Sequence, residues 1–117
     1  MSLRAIRGAI QVEANTAEAI QSGVHELLPA ILKANALSIA EVVSVFLTCT
    51  QDLNAAFPAT FAREIGFGAV PLLCSVEMDV PGALPLVIRT LLHVDMDSAP
   101  NHIYLRGATV LRKDLAQ

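Results

Sequence analysis

The side chains with chemical potential in this 117-residue chain are charges set inside apolar stretches. Arg7 interrupts the run Leu3–Val12, Glu77 ends Val70–Met78, and Arg89 sits within Pro85-Leu-Val-Ile-Arg-Thr-Leu-Leu. An ion buried without a partner costs several kcal/mol, so such residues either face solvent through strand alternation or are gathered where something pairs with them. Three of them on three neighbouring strands suggest a polar cleft at a sheet surface or subunit boundary, with Glu77 and Arg89 as a candidate pair. Six of the eight basic residues are arginine: Arg4, Arg7, Arg63, Arg89, Arg106 and Arg112. The rigid guanidinium fork matches a planar carboxylate, so this bias points to a carboxylated ligand.

Other chemistries find less support. His25 falls on an exposed phase of a helix, His93 shares a strand face with Arg89, and His102 stands at a strand start; their spacing suggests no metal site. Cys49 and Cys74 form no CxxC and lie in apolar segments, as small buried residues do. There is no GxSxG and no Gly-rich phosphate loop. Tyr104, the lone tyrosine, reads as core or site.

The elements that must position these residues follow from periodicity. Leu3–Val12 reads as a strand. Asn15 is suited to cap a helix over 16–34, in which Ile20, Val24, Leu27, Leu28, Ile31 and Leu32 recur at helical spacing, with Pro29 expected to kink it or shift its packing and Asn35 to stop it. Ser38 and Glu41 form a capping box for a single turn before a buried strand over 42–50. Pro58 and Gly66 bracket a two-turn helix over 58–65. Strands follow over 70–78, 86–96 and 102–105, and Gly107–Leu111 continues apolar to a polar tail. The order β-α-β-α-β-β-β gives an α+β (mixed α/β) domain spanning 1–117, its sheet of about five strands covered by helices on one face.

Composition sets the limits. Eight Lys+Arg against eleven Asp+Glu leave a net charge of −3, with no basic face for nucleic acid. Apolar residues make up 54% and charged ones 16%, which excludes disorder and leaves more apolar surface than a 117-residue monomer can hide. No apolar run approaches the roughly 18 residues that span a bilayer, and Arg4, Arg7 and Glu13 punctuate the opening segment, which shows no charged-then-apolar-then-small pattern. The expectation is a soluble, cytoplasmic oligomer with neither membrane nor nucleic acid as partner.

Four segments together resemble the small monofunctional chorismate mutases of the trimeric α/β class. They are Arg4-Ala-Ile-Arg7-Gly8-Ala9; Thr50-Gln-Asp52-Leu53-Asn-Ala-Ala-Phe57-Pro58-Ala59 with Arg63-Glu64; Val70-Pro71-Leu-Leu-Cys74-Ser-Val-Glu77-Met78-Asp79-Val80 with Ile88-Arg89; and His102-Ile-Tyr104-Leu105 leading to Val110-Leu111-Arg112-Lys-Asp114-Leu115. The resemblance implies a homotrimer, a pseudo-α/β barrel with clefts between subunits. It also implies the cofactor-free and metal-free Claisen rearrangement of chorismate to prephenate, on the route to phenylalanine and tyrosine. By the same resemblance Arg89 acts on the ether oxygen and a carboxylate, while Arg7 and Tyr104 bind a carboxylate. Glu77 orients Arg89 and takes the ring hydroxyl, near Cys74. Phe57, Ala59 and Leu111 form apolar walls, and Arg63 and Arg112 line the entrance. The chain departs from the family pattern in carrying Thr60 and Gly107 where basic residues are common, although Arg106 adjoins the latter, and in a short tail after Leu111. Two other readings fit an Arg-lined trimer: an imine-hydrolysing deaminase of related fold, and a non-catalytic sensor of small anions.

Overall fold

A computed structural model describes residues 2–114. Five strands, β1 (Leu3–Gln11), β2 (Val42–Cys49), β3 (Leu72–Val76), β4 (Val87–Asp95) and β5 (Ile103–Leu105), form one mixed sheet in the order β3-β2-β4-β1-β5. The inner pairs β2–β4 and β4–β1 are antiparallel, and the two edge strands run parallel to their neighbours. The long helix α1 (Ala17–Ala34) and the short helix α2 (Pro58–Ala62) both lie against one face. This is the mixed sheet with one long and one short helix that the element order implied.

Helix α1 forms because its apolar positions fall on one stripe: Ile20, Val24, Leu27, Leu28 and Ile31 are fully buried. They meet Ile6 and Ile10 of β1, Val45 and Leu47 of β2, and Ile88, Leu92 and Val94 of β4 in a single core. Truncating one of these leucines to alanine costs about 2–5 kcal/mol. Gly23 allows the close approach: a Cβ there would lie 2.5 Å from Val12 Cγ1.

The cap differs from expectation. Thr16, not Asn15, is the N-cap, its hydroxyl accepting from the Ala19 N–H at 3.1 Å. Asn15 instead accepts from the backbone N–H groups of Asn54 and Ala55, both at 2.9 Å, tying the helix start to the loop before α2. Helix α1 runs through Pro29 to Ala34. Asn35 ends it as expected. Its buried amide donates to Ile31 O and Asn101 O and accepts from the Asn101 N–H, locking α1 to the segment before β5.

Three further boundaries move. Helix α2 is shorter than two turns, and the helical path breaks at Ile65 and Gly66, where Gly66 takes φ +106°. Strand β3 stops at Val76, so Glu77 lies just past its end with its N–H on Cys49 O at 2.9 Å. After β5 the apolar stretch Gly107–Leu111 is part of a turn. Arg106 at φ +54° turns the chain into a 3-10 turn over Arg106–Val110, which folds back over Ala9 and Tyr104.

Candidate active site

The helix-free face of the sheet carries the site, and strand register builds it. Across that face Tyr104 pairs with Ala9, Ala9 with Arg89, Arg89 with Thr48, and Thr48 with Ser75. The next row on the same face is Arg7–Leu91–Phe46–Leu73. Alternation places every one of these side chains away from α1 and α2. The result is a cleft of about 190 Å³ lined by Arg7, Phe46, Thr48, Glu77, Arg89, Leu91 and Tyr104, with backbone contributions from Gly8 and Thr90. Four residues scattered over the sequence, Arg7, Glu77, Arg89 and Tyr104, thus meet in one place.

Their contacts differ from expectation in one respect. Among the described residues no ion pair joins Glu77 to Arg89. The Glu77 carboxylate accepts instead from the Thr48 hydroxyl, a residue that the sequence reading left unmarked. Thr48 had no sequence signal beyond its place in a β-branched run; only the register with Arg89 reveals it. The Nε–H of Arg89 is buried without a partner. Such groups are uncommon in a folded chain. Arg7 is exposed, and its backbone N–H donates to His102 Nδ1 at 2.9 Å. Burial first, then the cations Arg7 and Arg112, hold the His102 imidazole below its ordinary value. Tyr104 is buried among Ala9, Val87 and Ala108, with Leu111 packed on the same cluster.

The remaining candidates are placed elsewhere on the same protomer. Cys74 and Phe57 line a second depression of about 440 Å³ with Cys49, Leu53, Pro58 and Val76. Phe57 is 74% exposed, a large ring with nothing over it. Ala59 is buried in the core rather than standing as a wall of either depression. Burial, then Cys74, Asp52 and Glu77, push the Cys49 thiol up to about 12, which keeps it protonated. Arg63 is exposed and donates to Thr60 at 3.3 Å.

Arg112 donates from Nε and Nη2 to the two carboxylate oxygens of Asp114, at 3.0 and 2.8 Å, and that bonding holds the Asp114 carboxyl below its usual range. Arg106 is committed to Glu26 of α1 at 2.6 Å, so it does not replace the basic residue absent at Gly107. A Cβ at Gly107 would lie 1.7 Å from Gln11 Oε1, so a side chain fits there only if Gln11 moves. Among the described residues no cluster of His, Cys, Asp and Glu is arranged to hold a metal ion, and no helix is long and apolar enough to cross a membrane.

A guanidinium, a second cation, a phenol and an anchored carboxylate in a partly apolar cleft suit a small dianion that also carries a hydrogen-bond donor. Comparison with known proteins agrees with that chemistry. The family model for chorismate mutase type I matches residues 3–115. The chain is 49% identical to the chorismate mutase AroH of Thermus thermophilus, over 97% of this chain and 96% of that protein. It is 41% identical to the chorismate mutase AroH of Bacillus subtilis, over 99% of this chain and 94% of the other. Among solved structures, a chorismate mutase from Clostridium thermocellum superposes with a TM-score of 0.89 at 42% identity, covering 92% of this chain and 98% of that one.

Proposed function

The chain belongs to the chorismate mutase type I family, and we propose that it rearranges chorismate to prephenate in clefts that three copies build together. The observation that carries this reading is the meeting of Arg7, Glu77, Arg89 and Tyr104 in one cleft on the helix-free face of the sheet.

A Claisen rearrangement is intramolecular. The protein must hold the substrate in its compact conformer and stabilise charge as the ether bond breaks, which is positioning plus preorganised electrostatics. Arg89 presents its guanidinium to the ether oxygen, where negative charge develops. Arg7 and Tyr104 take carboxylate oxygens, and Glu77 takes the ring hydroxyl. Arginine stays protonated over the whole working pH range, so the stabilising charge is always present. No step needs a nucleophile, and Cys74 serves as a neighbour to the hydroxyl only.

Volume and exposure support a cleft shared between copies. A cleft of about 190 Å³ falls below the roughly 300–1,000 Å³ of ligand pockets, so a single protomer holds part of a site. Phe46 and Leu73 beside it remain 41% and 58% exposed. The second depression, with Phe57 and Cys74, is the complementary wall: a neighbouring copy offers it to close the cleft, with Arg63 and Arg112 at the mouth. Sedimentation equilibrium combined with a chorismate assay tests this. The expected result is about three protomer masses and conversion of chorismate to prephenate. An active monomer would overturn the shared cleft. Ammonia release from imino acids without chorismate turnover would favour a deaminase, and dicarboxylate binding without turnover an anion sensor.

A further inference from the structure

Arg89 and Glu77 carry opposite charges and line the same cleft, yet they do not pair. A guanidinium and a carboxylate that line one cleft are able to form charge-assisted, often bidentate bonds. Glu77 is fixed at its backbone by the bond from its N–H to Cys49 O at 2.9 Å, and at its side chain by the Thr48 hydroxyl. Thr48 lies opposite Arg89 in the β2–β4 register and opposite Ser75 in the β2–β3 register. It therefore stands between the strand that carries Arg89 and the one that leads into Glu77. As a β-branched residue in a strand it has few side-chain rotamers, so its hydroxyl is held in place. The guanidinium correspondingly keeps a buried N–H with no acceptor.

We infer that Thr48 is a positioning residue: its hydroxyl anchors the Glu77 carboxylate away from Arg89 and so keeps the guanidinium uncommitted until substrate arrives. The inference rests on the reading that Arg89 stabilises the developing charge. A carboxylate allowed to swing onto Arg89 would compete with the substrate for the guanidinium and cancel part of its field at the ether oxygen. Anchored by Thr48, the same carboxylate remains available to a hydroxyl donor on the ligand.

The test is a double-mutant cycle on the assembled enzyme, read as kcat and KM for chorismate. Thr48→Val keeps shape and β-branching but has no hydroxyl, and it should lower kcat/KM about tenfold or more, the size of coupling found between directly bonded groups. Most of that loss should appear in kcat, since Arg89 acts in the transition state. Thr48→Ser restores the donor and should return activity to within about threefold of the parent. In a Glu77→Gln background the neutral amide has no ion pair to form, so adding Thr48→Val should cost less than about threefold.

A Thr48→Val loss that is equally large in both backgrounds, or that Thr48→Ser does not relieve, would mean that Thr48 only packs and would overturn the inference. So would a Thr48→Val variant with parental kcat. Arg89→Ala measured alongside separates the two levels. If it keeps parental kcat, the reading of Arg89 itself fails. If it is crippled while Thr48→Val and Glu77→Gln act additively, only the role of Thr48 fails. Sedimentation of each variant confirms that the assembly compared is the same.

Discussion

Arg89→Met should make the protein a much poorer enzyme without making it a less stable one. The Nε–H of Arg89 is buried and unpartnered, and an unmade hydrogen bond of this kind costs about 1–3 kcal/mol. Methionine keeps an unbranched apolar stem and removes the orphan donor. Stability at fixed subunit concentration should therefore hold or rise by about 1 kcal/mol, a gain of about 4 °C in Tm for a domain of this size. Activity moves the other way. Removing one neutral oxyanion donor typically costs about 10²–10³ in kcat, and here a full charge is lost. Glu77, still tied to Thr48, would face the dianion with no guanidinium beside it. A loss beyond about 10³, or about 4 kcal/mol in the barrier, is the expected result. Thermal melts and steady-state kinetics on the same preparations decide it. A variant that melts well below the parent yet keeps its kcat would show that Arg89 is a structural residue, and the reasoning would be refuted.

Cys74→Ser should keep most of the parental kcat, because the rearrangement offers no step for a nucleophile, and mass spectrometry of quenched reactions should find no covalent adduct on the chain. His102 should make stability fall in acid. Its folded-state value lies below the ordinary 6.5, so its contribution is complete above about pH 6.5 and is lost as pH drops through the depressed value; His102→Asn should remove that segment of the stability–pH curve. Gly8→Ala should destabilise by about 1–3 kcal/mol. Its Cβ would meet Ile31 Cδ1 at 2.6 Å and the Ile103 carbonyl oxygen at 3.3 Å, which denaturant titration would register as a lower midpoint with an unchanged slope.

The sequence was most legible where a repeating physical pattern constrains many residues at once. Helix α1 announces itself through its apolar stripe, and the charges at positions 7, 77 and 89 stand out because they interrupt apolar strands, although exposure through strand alternation explains each one taken alone. Legibility failed where two neighbours were equally suited. Asn15 and Thr16 are both capping types, and the choice depended on Asn15 being needed by the Asn54 and Ala55 N–H groups, far away in sequence. The fold-back after β5 was hidden because it depends on Arg106 adopting a positive φ, which nothing in its residue type demands. The pairing of Glu77 with Thr48 was hidden for a different reason. A threonine in a β-branched strand is unremarked until register sets it beside Arg89. The division of the site residues between two depressions belongs to tertiary structure, since Phe57 and Cys74 enter from the α2 end while Arg7 and Tyr104 enter from the β1–β5 edge.

Arg89 is expected to act in the transition state as a fixed guanidinium. The most direct measurement is chorismate conversion by the parent and by Arg89→Lys, with prephenate identified as product and kcat and KM resolved separately. Lysine keeps the charge and loses the fork. The expected result is a parent that forms prephenate and a lysine variant that binds chorismate with a similar KM but turns it over at least about tenfold more slowly. A parent inert toward chorismate, or a lysine variant with parental kcat and a raised KM, would contradict it.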